Sequence, residues 1–207
     1  MFRFPNVNLR TEAKILIRAS FLAFFALGLF GPLYAIFVQN IGGDILDAGI
    51  AFAIFNLVTG VFILTLGTSR FFARNVRPMV VIGYIVLTIG EAGYLLVQSP
   101  YHLFIVQVII GLAGGILEPS WDSIFAAELS EAEASTHWAL WAGGQNIVTG
   151  IAAAVGGAIV ATYSFTALFV VMAVFNLFAV FAVLQILKTG PTACGEQGRT
   201  APLHQAS

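Results

Sequence analysis

Apolar residues along this chain gather in blocks separated by short polar links. Blocks long enough to cross about 30 Å of hydrocarbon run from Ile15 to Val38, Ala48 to Gly67, Met79 to Val97, Leu103 to Ala126, Trp138 to Val160 and Phe165 to Leu187. Each reads as a helical span, so the pattern predicts six spans and an all-α membrane protein. Polar residues inside the blocks are few, and their positions carry information, because a polar group facing lipid is costly.

The fourth block holds the most of them. In Gln107 to Asp122, QVIIGLAGGILEPSWD, a helix turning about 100° per residue puts Gln107, Gly111, Gly114, Gly115, Glu118 and Asp122 in one sector of roughly 100°. Its other side is apolar, so the striped front is expected to face protein or a water-filled cavity. Glu118 and Asp122 are therefore candidates for a substrate or proton pathway. Gln145 and Asn146 of span five reach the depth of Glu118 and are the amides expected to hold it. Gly111 and Gly115 have the GxxxG spacing of close helix packing.

Elsewhere the polar residues are isolated. Glu91 in span three and Asn56 in span two sit at similar depth and are expected to pair, with the acid protonated. Span one holds Gly28, Gly31, Pro32 and Tyr34, which predicts a close neighbour, a bend at the proline and a tyrosine on the pathway. In span five, Gly150 and Gly157 are expected to pack against another helix. Span six is apolar apart from Asn176 and reads as peripheral and lipid-facing. His137 and Trp138 are placed at the membrane interface, where ring and water can both be satisfied.

The chain also repeats itself. Asn56 to Val61 reads NLVTGV and Asn146 to Ile151 reads NIVTGI, 90 positions on; Gly28 to Tyr34 reads GLFGPLY and Gly115 to Trp121 reads GILEPSW, 87 positions on. Two three-helix units are implied, repeat one at 15–97 and repeat two at 103–187. With an odd number of spans each, they must run oppositely through the membrane, the inverted-repeat plan of secondary transporters.

Charge fixes the expected orientation. Of the 207 residues 59% are hydrophobic and 9% charged, and the nine Lys and Arg fall only in the N-terminal segment, the link between spans two and three, and the C-terminal end. Six spans put all three on one side, so the positive-inside rule expects both termini in the cytoplasm, a lead at 1–14 and a disordered tail at 188–207. The link after span four has Ser130 and Glu133 spaced as a capping box, and Asp44 or Asp47 is placed to cap span two. The single cysteine, Cys194, excludes an internal disulfide. No paired Asp, His cluster or Ser and His pair is present, so no enzyme activity, cofactor, metal site or nucleic-acid partner is expected.

Six spans in inverted triplets, with the basic link GTSRFFARNVRP between spans two and three, resemble one half of a major facilitator superfamily transporter. The link is similar to that family's signature in its glycine and in the basic residues ending at Arg77 and Pro78. In span four Gln107 stands four residues before Gly111, where the family often has Arg. The resemblance implies transport of a small solute by alternating access between two such halves, about 12 spans in all. A homodimer in the plasma or inner membrane would rebuild the missing half. A separately encoded half, a truncated larger transporter and a non-transporting scaffold are the alternatives. In the dimer spans one, two, four and five would face partner or cavity, with Tyr34, Asn56, Glu91, Gln107, Glu118, Asp122, Gln145 and Asn146 along the pathway.

Overall fold

The computed structural model describes residues 10–129 and 134–189, and among them every regular element is helical. Six helices are long and apolar enough to cross a membrane: α1 Thr11–Asn40, α2 Ile45–Leu66, α3 Val76–Leu96, α4 Pro100–Glu128, α5 Ala134–Thr162 and α6 Phe165–Lys188. Each falls on one of the apolar blocks. The Ser130 and Glu133 capping box, Cys194 and the tail beyond Thr189 lie outside the described residues.

The helix ends have local causes. Asp44 caps α2, its Oδ1 accepting from the backbone N–H of Leu46 at 2.8 Å and of Asp47 at 2.9 Å, while Asp47 Oδ2 accepts from the Asp44 N–H at 3.0 Å. That reciprocal pair satisfies donors that the first turn of a helix leaves open. Gly42, with φ of 82°, supplies the left-handed residue between α1 and α2. Within α1, Pro32 lies in a 3-10 turn at Gly31–Leu33 that joins Thr11–Phe30 to Tyr34–Asn40, so the expected interruption is present.

Two helices are central. α4 packs along α3 and α2, α1 packs along α6 and α5, and α3 meets α6 across the bundle. Exchanging the first three helices for the last three maps this set of neighbours onto itself. The tightest contacts follow the same exchange. A Cβ built on Gly28 would lie 2.9 Å from the Thr149 carbonyl oxygen and 2.9 Å from Ala152 Cβ; one built on Gly115 would lie 3.2 Å from the Thr59 oxygen and 2.3 Å from Phe62 Cβ. Gly28 and Gly115 are 87 positions apart, and Thr59 and Phe62 stand 90 positions before Thr149 and Ala152. The repeated motifs thus meet each other in two matching seams, α1 on α5 and α4 on α2.

Not every glycine expected to pack does so. Gly111 and Gly115 press on α2 and Gly28 on α5, but a Cβ at Gly31, Gly150 or Gly157 would meet nothing within 4 Å. On α5 the close approach is made instead by Gly156, where a Cβ would come within 1.9 Å of the Leu29 carbonyl oxygen. One residue is about 100° of helix rotation, enough to move Gly157 off the seam that Gly156 occupies.

Span six exposes one apolar face, including Leu177, Phe178 and Phe181, as expected of a peripheral helix, but its other face is packed. α6 packs on α1 and α3, and its Asn176 is only 1% exposed. His137 also departs from expectation, being buried rather than at a wet interface.

Two apolar clusters fill the bundle. Near the α1–α2 link, Phe30 packs edge-on against Tyr34, Phe37, Tyr94 and Phe169 with centroids 4.9 to 5.5 Å apart. Toward the other end, Trp121 lies 4.5 Å from Phe125 and 4.8 Å from Trp141. That end carries an ion pair between Arg77 and Glu12, whose Oε1 also accepts from Thr189 Oγ1 at 2.8 Å. The start of α1, the start of α3 and the end of α6 are thereby tied together.

Candidate functional site

A cavity of 680 Å³ lies between the helices, lined chiefly by α1, α3 and α4. From α1 come Ser20, Phe24, Leu27, Gly31 and Tyr34, at three- to four-residue intervals along one helix face. From α4 come Gln107, Ile110, Gly114, Glu118 and Asp122, the same spacing again. The stripe read from the sequence therefore divides: Gly111 and Gly115 on its edge pack against α2, Gly114 borders the cavity while also lying close to Thr59 of α2, and Gln107, Glu118 and Asp122 line the cavity.

The two ends of the cavity differ in how their polar groups are satisfied. Near the α1–α2 link, Gln107 Nε2 donates to Tyr34 Oη at 2.9 Å and to Tyr94 Oη at 3.2 Å. Glu91, 2% exposed, accepts through Oε2 from Asn176 Nδ2 at 2.5 Å. Midway, Ser20 Oγ and Tyr84 Oη share a hydrogen bond of 3.2 Å between α1 and α3. These groups bond to one another and tie α1, α3, α4 and α6 together.

Toward the basic end the polar groups are open. Glu118 and Asp122 are exposed to the cavity, and neither makes a hydrogen bond or ion pair among the described residues. They are four residues apart on α4 and so share a face, about 6 Å apart along the helix axis. Trp121 and Trp141 line the same region. Their indole N–H groups are buried without an acceptor among the described residues. Gln145 is also on this wall.

Six of the eight pathway candidates thus share one cavity: Tyr34, Glu91, Gln107, Glu118, Asp122 and Gln145. Two do not. Asn56 Nδ2 donates to the Phe52 carbonyl oxygen and Asn146 Nδ2 to the Ala142 carbonyl oxygen, each at 2.8 Å within its own helix. The expected pair of Asn56 with Glu91 is therefore replaced by Asn176 with Glu91, and the expected clamp of Gln145 and Asn146 on Glu118 is absent among the described residues. Depth along a helix does not set the direction in which a residue points.

The aromatic walls, the Ser20 and Tyr84 pair and the Asn176 partner were not anticipated. Trp121 carried a signal, since it stands beside Asp122 at the edge of the stripe. Asn176 carried one too, as the sole polar side chain between Leu168 and Val183.

The family model of the Major Facilitator Superfamily matches the chain over residues 16–202. No curated protein matches it.

Proposed function

The chain belongs to the major facilitator superfamily of membrane transporters, as a multi-pass member with six spans among its described residues, and from that premise we propose that it is a half-size transporter that moves a small solute by alternating access as a homodimer, driven by protons. Its two three-helix units, 15–97 and 103–187, are read as inverted repeats, a reading that the matching seams at Gly28 and Gly115 support. Both termini are placed in the cytoplasm, since the basic residues lie at that end.

The observation that carries the reading is a pair of carboxyl groups, Glu118 and Asp122, without partners among the described residues and facing a cavity lined by α1, α3 and α4. In a scaffold, Glu118 would tie helices together, yet Asn146 is turned back on its own helix and Gln145, though on the same wall, makes no hydrogen bond to Glu118 among the described residues. As a proton-carrying acid, Glu118 would instead be loaded from one side, and solute competing for the same carboxyl would couple the two movements.

Dimerisation has its own support. α2 and α5 are the least buried of the spans, and each exposes an asparagine at the corresponding place, Asn56 and Asn146. A Cβ at nearby Gly60 or Gly150 would meet nothing within 4 Å. Small residues beside an amide suit a close protein neighbour better than lipid. A twofold axis along the membrane normal would set α2 of one copy on α5 of the other.

Two experiments test this. In a Cys194→Ser background, Gly60→Cys with Gly150→Cys is expected to crosslink between protomers and Leu177→Cys on α6 is not; the reverse would overturn the arrangement. In reconstituted vesicles under an imposed pH gradient, Glu118→Gln is expected to leave expression and dimerisation intact while abolishing proton-driven solute movement. Unchanged, still pH-driven movement by that variant would return Glu118 to a structural role.

A further inference from the structure

The cavity wall carries charge of one sign. Glu91, Glu118 and Asp122 line it, and among the described residues no Lys, Arg or His does. Glu91 is already engaged by Asn176, which leaves Glu118 and Asp122 as the groups free to receive a ligand. A carboxylate only accepts hydrogen bonds. An anion would meet like charge here with nothing to neutralise it.

The remainder of the wall decides what kind of cation fits. Nine of the 23 lining residues are aromatic, so most of the surface a ligand touches is a ring face or edge. A small inorganic ion needs several oxygen ligands close around it, and aromatic walls supply none. A sugar or other polyhydroxyl solute needs many free donors and acceptors, whereas Gln107, Tyr34, Tyr94, Ser20 and Tyr84 are already bonded to one another. Ring faces beside carboxylates attract a different partner, because the negative face of an indole or phenol ring draws a positive charge while its area covers apolar groups.

The second mark of a ligand is Trp121. It is 6% exposed, its indole N–H has no acceptor among the described residues, and it sits between Glu118 and Asp122 in sequence, its ring tilted against that of Trp141 with centroids 4.8 Å apart. A cavity of 680 Å³ is within the roughly 300–1,000 Å³ of drug-sized sites.

We propose that this cavity binds a hydrophobic organic cation, an onium ion or protonated aromatic amine, with its charge at Glu118 and Asp122 and its apolar body against Trp121, Trp141 and Phe24. The inference names the solute class for the transport reading above and rests on that reading for its use, though binding itself requires no transport.

The test uses ions matched in shape. Purified full-length protein in nanodiscs is titrated with tetraphenylphosphonium and, separately, with tetraphenylborate, and quenching of the tryptophan emission is followed against protein-free nanodiscs. Saturable quenching by the phosphonium and none by the borate is expected. Glu118→Gln with Asp122→Asn should raise the Kd for the phosphonium at least tenfold, and Trp141→Leu severalfold. Equal binding of the borate, or an unchanged Kd in the double carboxylate variant, would overturn the proposal. Should that variant fail to fold, the phosphonium and borate comparison on the unaltered protein decides alone. Carboxylate-dependent binding without movement of the phosphonium in vesicles would sink the transport reading and leave the inference standing. Proton-driven movement of neutral or anionic solutes with no phosphonium binding would do the opposite.

Discussion

Glu91 and Glu118 border one cavity from α3 and α4, and their surroundings differ in kind. Glu91 is closed off, 2% exposed and bonded to an amide of α6. Glu118 stands in the open with Asp122 one turn away and without a hydrogen-bond partner among the described residues. Gln107 shares α4 with Glu118 and lies about 16 Å from it along the axis, yet it belongs with Glu91, because both of its amide hydrogens are spent on tyrosines. One end of the cavity is thus a finished network, and the other is unfinished within the chain. On the transport reading proposed above, the unfinished end is where solute and protons would be received, while the finished end ties α1, α3, α4 and α6 together.

Stability measurements should separate the two ends, and the largest effect is expected at Glu91. Glu91→Ala removes the cross-helix partner of the Asn176 amide at 1% exposure, leaving its Nδ2 only the Met172 carbonyl oxygen of its own helix at 3.2 Å and its Oδ1 without a partner among the described residues. Leaving a buried polar group unmatched costs about 2 kcal/mol. Glu118→Ala, facing an open cavity, should cost under about 0.5 kcal/mol. Thermal unfolding of each variant in detergent would show it, and equal losses would erase the distinction. Replacing both partners, Glu91→Leu with Asn176→Leu, should recover stability to within about 1 kcal/mol of the parent, since an apolar pair leaves nothing unsatisfied.

A smaller effect of the same sort should distinguish the two helix seams. Thr59 Oγ1 donates to the Gly111 carbonyl oxygen at 3.1 Å across the α2–α4 seam. Thr149, its counterpart on α5, makes no side-chain hydrogen bond among the described residues. Thr59→Val is expected to cost about 0.6 kcal/mol, the usual size of such a bond between membrane helices, and Thr149→Val less. A larger loss at Thr149 would mean that the seams are held by something other than this hydrogen bond.

How much of this was legible beforehand follows from what a sequence encodes directly. Span lengths and links are one-dimensional, and all six were found from apolar runs. The repeat was visible because Gly28, Gly115, Thr59 and Thr149 lie where helix backbones meet, which restricts what can stand there. The stripe on α4 was also legible, since Gln107, Glu118 and Asp122 share a helix face whatever the helix packs on. Partners across helices were not. Asn56 and Asn176 lie in different spans that could each approach Glu91, and only the packing of α3 against α6 selects Asn176. Gly157 failed for the same reason, one position of rotation from Gly156, and Gly150, six positions before it, lies about 120° around the helix from the seam.

The smallest expected difference lies inside the finished network and marks where it ends. Tyr34 and Tyr94 both accept from Gln107 Nε2, at 2.9 and 3.2 Å, yet Tyr94 is buried beneath Phe30 and Phe169 while Tyr34 is half-buried on the cavity wall. Tyr94→Phe removes an acceptor where water cannot follow, and a loss of about 1 kcal/mol is expected. Tyr34→Phe removes one beside open space, where water or a bound solute can take the amide hydrogen, so its cost should be a few tenths of a kcal/mol. Unfolding of the two variants side by side checks the difference. A cost at Tyr34 equal to that at Tyr94 would extend the closed network to the cavity surface and confine the open polar groups among the described residues to the end that holds Glu118, Asp122, Gln145 and the Trp121 wall.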